Sequence, residues 1–258
     1  MELILATYAL WRRDITRFIR QRSRVVGALG TPVIFWILLG SGLGTSFSVG
    51  TLGVPAGGYL EYFYPGTLAL ILLFTAIFST ISVIEDRHEG FLQGVMVAPV
   101  PRVAIVLGKV LGGTTLALIQ AVLFLLLAPL ANTHIGLSTL PLLLVVLTVF
   151  AFALTGLGFV LAWMLDSTQG FHAIMNLLLF PMWLLSGAVF PPSGAAGWIR
   201  GAMIVNPMTY GVDALRTVLT GAGSGDGSAS VGGSLTFIAL FGLVTLALSS
   251  WSVTYRRT

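Results

Sequence analysis

The sequence predicts an all-α polytopic membrane protein with six transmembrane helices. Three observations predict it. Of 258 residues, 56% are hydrophobic and 9% charged, where a soluble domain carries roughly 25% charge. Apolar stretches long enough to span a bilayer recur six times along the chain. The charges are also unevenly placed. Between Arg24 and Arg200 there are eight, and six fall in one window, residues 85–109, EDRHEGFLQGVMVAPVPRVAIVLGK. The absence of cysteine excludes a disulfide framework, a thiolate metal site and a thiol nucleophile. A net charge of +4 does not mark a nucleic-acid binder, because the basic residues gather near the two ends, where membrane proteins keep cytoplasmic anchors.

Residues 1–24 form the first element. Ile4, Tyr8, Trp11, Ile15, Phe18 and Ile19 recur at helical spacing, with Arg12, Arg13, Arg17 and Arg20 over much of the remainder. This pattern predicts an amphipathic helix lying on the inner membrane interface. A cleaved signal peptide fits less well, because the basic part is too long and no small-x-small cleavage site follows.

About 20 apolar residues cross the hydrocarbon core. The spans are placed near 25–45, 64–84, 106–130, 138–165, 171–190 and 232–253. The first carries no charge over the 20 residues from Val25. The fourth has 29 uncharged residues, Leu137 to Leu165, so it tilts, kinks or begins after Pro141. The third starts with Lys109, which is expected to snorkel to the interface. Pro32 and Pro181 are expected to kink their spans, and Gly40-x-x-x-Gly44 and Gly108-x-x-x-Gly112 to allow close helix packing.

Six spans put both termini on one side. That side holds eleven of the 13 Lys and Arg residues, and the other only Arg200 and Arg216. The positive-inside rule then places both termini and the 85–109 window in the cytoplasm. The outer segment 191–231 is too polar and Gly-rich to span, yet Trp198, Met203, Met208, Tyr210, Val212 and Leu215 are too apolar for a solvated loop. It is expected to form short helices dipping into the outer leaflet, broken at Asn206-Pro207, then a flexible GAGSGDGSASVGG tether.

The charged window holds the chemistry. A charge at the bilayer centre costs at least about 3 kcal/mol, so these residues sit in water or against a partner. Glu85 to Pro99 reads as one short helix, with acids at its N-terminus, Phe91, Leu92, Val95 and Met96 as an apolar side, and Pro99 and Pro101 as its stop. Such a helix suits docking in a partner's groove. There is no G-x-x-x-x-G-K-[ST], so this chain does not cradle a triphosphate itself. His88-Glu89 lacks the second histidine of a zinc protease, and His88, His134 and His172 are scattered. Two other readings stay open: a membrane-embedded enzyme using Glu85, Asp86, His88 and Glu89, and a non-transporting membrane anchor.

The window resembles the signature of the ABC-2-type transporter permeases. The matching residues are Glu85, Arg87, Glu89, Gly90, Leu92, Pro99, Arg102, Gly108 and Lys109. Phe91 stands where that family usually has Thr, and Gln93-Gly94 where an acid plus an aliphatic residue is common. A second match spans 181–216, with Ser186, Gly187, Pro191, Trp198, Asn206, Pro207, Tyr210, Asp213 and Arg216. The resemblance covers the chain as a single domain, 1–258, and is nearest to the drug, lipid and lipo-oligosaccharide exporter permeases.

It implies a permease homodimer in the inner or plasma membrane, in contact with membrane lipids and served by two copies of a separate ATPase. ATP and Mg would be handled by that ATPase, and this chain would bind no cofactor, no metal and no nucleic acid. Residues 85–101 would be the coupling helix, with Glu85, Asp86, Arg87, Glu89, Gly90, Phe91, Leu92, Pro99 and Arg102 facing the ATPase. Trp198, Asn206, Pro207, Tyr210, Asp213 and Arg216 would belong to an outer gate, 191–231. Spans one, two and five would line the pathway, with Phe35, Trp36, Phe78, Asn176, Phe180 and Trp183 as candidates.

Overall fold

A computed structural model describes residues 2–43, 58–133, 135–221 and 230–255. Residues 44–57, Gly44 among them, His134, Arg256, Arg257 and most of the GAGSGDGSASVGG tether lie outside them. The described residues contain helices and no strand.

α1 runs Glu2–Arg20. Six helices are long and apolar enough to cross a membrane: α2 (Arg22–Gly42), α3 (Tyr59–His88), α5 (Arg102–Leu125), α6 (Leu140–Met164), α7 (Thr168–Ala188) and α10 (Val231–Tyr255). Between α3 and α5 lies the short α4, Phe91–Val97. Between α7 and α10 lie α8, Gly197–Val205, and α9, Pro207–Thr220. The protein is therefore a multi-pass membrane protein, with its spans near the expected places.

α3 is the central span. Its most apolar window is 83% buried, against 22% for α2 and for α10. It packs on α2, α5 and α6, and α10 packs on the far side of α6. Small residues bring the helices close, as expected where no hydrophobic effect separates helix from lipid. Gly113 of α5 leaves room for Ser79 and Thr155, and Gly66 of α3 meets the backbone of Ala188 at the end of α7. Buried hydroxyls that would otherwise lack partners bond back along their own helices, Thr67 to the Phe63 carbonyl and Thr155 to that of Ala151.

Helix ends differ from expectation for local reasons. α3 continues past the expected Ile84 through EDRH and stops at Gly90, whose φ of 74° is left-handed. Glycine adopts that conformation at no steric cost. α6 starts at Leu140 with Pro141 in its first turn, where the missing N–H costs nothing. α2 is helical through Pro32. α7 has π-helical turns on both sides of Pro181, at Met175–Leu179 and Leu184–Ala188.

α1 packs along the first half of α5. Leu10 and Thr7 meet Gly108, and Asp14 and Trp11 meet Gly112. The Trp11 indole N–H donates to Thr115 Oγ at 3.1 Å. Its buried stripe is Leu10, Asp14 and Phe18, while Ile4, Tyr8 and Ile19 stay exposed.

A Cβ at Gly66 would stand 2.7 Å from Ala188 Cβ and 2.9 Å from its Cα. Gly66→Leu should therefore lower stability by about 1–3 kcal/mol, the usual cost of overpacking, read as a reduced Tm in detergent. Gly94→Ala, where a Cβ meets nothing within 4 Å, should leave Tm unchanged.

Candidate functional site

The C-terminal end of α3 carries the site. Glu85 and Asp86 stand in its last turn, not at a helix N-terminus as the sequence reading expected, because Gly90 ends the helix after them. Acids there oppose the helix dipole, and three arginines offset them. Arg13 of α1 forks onto Asp86, Nη2 to Oδ1 at 2.7 Å and Nη1 to Oδ2 at 2.8 Å. Arg17 reaches Asp86 Oδ1 at 2.6 Å, Glu89 at 2.9 Å and Glu85 at 3.1 Å. Arg24, at the start of α2, pairs with Glu85.

Lys109 completes the cluster. It does not snorkel: it is 3% exposed. Its ammonium donates to Asp14 at 2.9 Å, to Ser82 Oγ at 3.1 Å and to Asp86. Asp86 is fully buried. One carboxylate thus receives two arginines and a lysine from α1 and α5. Burial pushes the Asp14 carboxyl above its ordinary 3.8, against the pull of Lys109.

α4 hangs from this cluster. Leu92 is fully buried, and the Arg13 guanidinium lies 3.7 Å from the centroid of the Phe91 ring, a cation–π contact. The helix is thus Phe91–Val97, shorter than the expected 85–101. Gln93, Gly94, Val97 and Pro99 are exposed, with Val97 at 87%.

The remaining candidates of the window separate from the acids. Arg87 turns to α6, donating to the carbonyls of Ala162 at 2.9 Å and Leu165 at 2.8 Å and to Asp166 Oδ1 at 3.1 Å. The His88 ring nitrogen lies 2.7 Å from the Asp166 carbonyl. Arg102 donates to the carbonyl of Thr254 at 2.6 Å. Arg87 and Arg102 therefore cap the C-termini of α6 and α10, where orphan carbonyls and the dipole favour a cation. Glu85, Asp86, His88 and Glu89 do not converge as an acid–base constellation, because the acids are held by arginines and the histidine faces away.

At the other end of the bundle, Gly187, with a φ of 79°, bends the end of α7. Its carbonyl accepts from Tyr62 Oη at 2.9 Å and from Arg216 Nη2 at 2.9 Å. The Arg216 guanidinium also lies 4.3 Å from the Tyr62 ring centroid. Asn206 caps α9, its Oδ1 accepting the Met208 N–H at 3.0 Å, and its amide donates to the Met182 carbonyl at 2.6 Å. Pro207 opens α9. Tyr210 stacks on Phe237 of α10 with ring centroids 4.0 Å apart. Asp213 lies 3.4 Å from Ser234 Oγ. Trp198 stands apart from these, 73% exposed.

The pathway candidates divide. Trp36 and Trp183 are buried, and their indole N–H groups donate to the carbonyls of Leu60 at 3.1 Å and Gly66 at 2.8 Å. Both pack the bundle. Phe180 lies against Trp183, and half-buried Phe78 against His172. Phe35 and Asn176 are exposed on α2 and α7.

Sequence reasoning missed Asp14, Arg13, Arg17 and Arg24 as partners of the acids, and Tyr62 as the platform for Arg216. Asp14 did leave a signal. It is the one acid within a run of arginines, on the otherwise apolar stripe Leu10-Asp14-Phe18.

Six apolar helices, with a buried ion cluster and a short helix at the charged end of the central one, define a polytopic membrane protein. Residues 6–220 match the model of the ABC-2 type transporter family, and the chain belongs to that family of transport permeases. It is 27% identical to nodulation protein J of Rhizobium leguminosarum bv. viciae over 244 residues, 93% of this chain and 92% of that one. It is 25% identical to the putative transport permease ycf38 of Cyanophora paradoxa over 219 residues, 81% and 72% of the two chains. Over 165 residues it is 23% identical to the probable multidrug ABC transporter permease YbhR of Escherichia coli K12, 64% of this chain and 45% of that one.

Removing Lys109 leaves two buried carboxylates short of a cation. Lys109→Met is expected to destabilise by about 3–5 kcal/mol, measured by unfolding in mixed micelles. Asp14→Asn tests the other partner. Because its folded value is raised above 3.8, Asp14 favours the fold below that pH, and the benefit is lost as pH rises through the raised value. The variant's stability should decline less from acid to neutral pH than that of the wild type.

Proposed function

We propose that this chain is the membrane subunit of an ATP-driven exporter, paired with a second copy and served by two copies of a separate ATPase. The observation that carries the reading is the attachment of α4. A seven-residue helix with exposed Gln93, Gly94 and Val97 is fixed through Gly90, Leu92 and Phe91 to the end of the central span. The buried Asp86–Lys109–Asp14 cluster joins that end to α1 and α5. A push on α4 is thereby delivered to three helices at once.

In this reading α4 seats in a groove of the ATPase and α1 braces it. Both termini lie in the cytoplasm, in keeping with the eleven-to-two bias of Lys and Arg. ATP and Mg are bound by the partner. The exposed Phe35 and Asn176 are the pathway candidates that remain free of internal packing. α8 and α9 form the outer gate, latched by Arg216 and Tyr62 on the Gly187 carbonyl. The cargo is amphipathic, lipid-like or a sugar chain, which fits an apolar bundle and relatives named for nodulation and multidrug transport.

Val97→Asp places a charge on the exposed face of α4 without touching the core. It should leave Tm unchanged and weaken co-purification of the ATPase by roughly tenfold or more, the scale of an interface anchor. Equal recovery of an ATP-hydrolysing partner with both proteins would sink the coupling role of α4. His88→Asn should leave transport largely intact, whereas the membrane-enzyme reading requires it to abolish activity.

A further inference from the structure

α1 and α5 enclose a groove that the ion cluster does not use. It has a volume of about 420 Å³, and its lining includes Ile4, Tyr8, Trp11, Leu107, Leu111 and Thr115. It is open to the surroundings along exposed Ile4, Tyr8 and Leu111. Two of its polar groups satisfy each other, the Trp11 indole N–H donating to Thr115 Oγ1 at 3.1 Å, while the Thr7 hydroxyl is buried without a hydrogen-bond partner among the described residues. What remains is an apolar slot, continuous with the exposed Ile119, Val122 and Leu123 farther along α5.

Two features identify its occupant. Tyr8 and Trp11 stack with ring centroids 5.5 Å apart, and such amphipathic rings sit at the level of lipid headgroups. Arg12 stands one turn beyond Tyr8 on α1, on the exposed side of the helix. Arg13 and Arg17 are held by Asp86, Glu85 and Glu89. Arg12 is exposed and has no ion pair among the described residues.

We propose that the α1–α5 groove binds an anionic phospholipid, with an acyl chain along Leu107 and Leu111 and the headgroup phosphate on Arg12. The leaflet, the inner one, rests on the cytoplasmic placement of α1 proposed above, but the site does not require an ATPase. The lipid would fill the side of α1 facing away from the buried acids and so hold that helix against α5.

The test uses the full chain in nanodiscs of phosphatidylcholine doped with phosphatidylglycerol, released into native mass spectrometry. The wild type should retain phosphatidylglycerol in preference to phosphatidylcholine. Arg12→Gln should reduce that preference about fivefold, equivalent to the ~1 kcal/mol of one arginine at an anionic surface. Leu111→Trp should displace retained lipid of either headgroup, and Arg20→Gln should change nothing. Unaltered retention and preference in both Arg12→Gln and Leu111→Trp would overturn the proposal. Loss of retained lipid on addition of the ATPase would overturn it as well, by assigning the groove to a protein partner. If the permease reading alone fails, no ATPase co-purifies and lipid retention is unchanged.

Discussion

The structure depends on a carboxylate that cannot be left alone. Asp86 is fully buried at the C-terminal end of the central helix, and an isolated buried charge costs several kcal/mol even after relaxation. Arg13, Arg17 and Lys109 reach it from two other helices. Their geometry fixes how α1 lies against the start of α5 and the end of α3. The short helix that follows inherits its position from that arrangement.

The two ends of the bundle use the same device with different chemistry. At the end that holds Asp86, arginines cap helices: Arg87 closes α6 and Arg102 closes α10, while Arg13 offsets acids at the end of α3. At the other end, Arg216 and Tyr62 meet on one carbonyl exposed by the bend at Gly187. Unsatisfied backbone groups are costly wherever water is scarce, so helix ends are where a membrane bundle needs its polar side chains. In the proposed transport cycle those same ends are the parts that must move. Networks of several hydrogen bonds can exchange partners, whereas a tightly packed apolar seam such as Gly66 against Ala188 must move as a body.

Much of this architecture was legible in the chain. The six spans fell within a few residues of their places because a run of about 20 apolar residues has few other fates. The charged window between the second and third spans was visible for the same reason, and Pro99 and Pro101 marked its end. The helix break inside the window was not read, since Gly90 sits in a stretch otherwise able to continue. The acids were assigned to a partner, although most of their bonds are internal. Charge pattern locates residues that must leave lipid, but it does not say whether water, a partner or the chain itself receives them.

The sequence by itself determined that this is a six-span helical membrane protein, which end of each span carries charge, and where a short helix interrupts the apolar pattern. Only the tertiary structure decided what those charges do. Arg13 and Asp86 are 73 residues apart in the chain and 2.7 Å apart in space, and Lys109 lies buried between Asp14 and Asp86 when its position alone suggested snorkelling. Hydropathy is a property of neighbouring residues along the chain and is readable there. Ion pairing between helices depends on which faces meet, and that is set by the packing of Gly108 and Gly112 against α1; the Gly-x-x-x-Gly spacing marks a face for close packing but not which helix fills it.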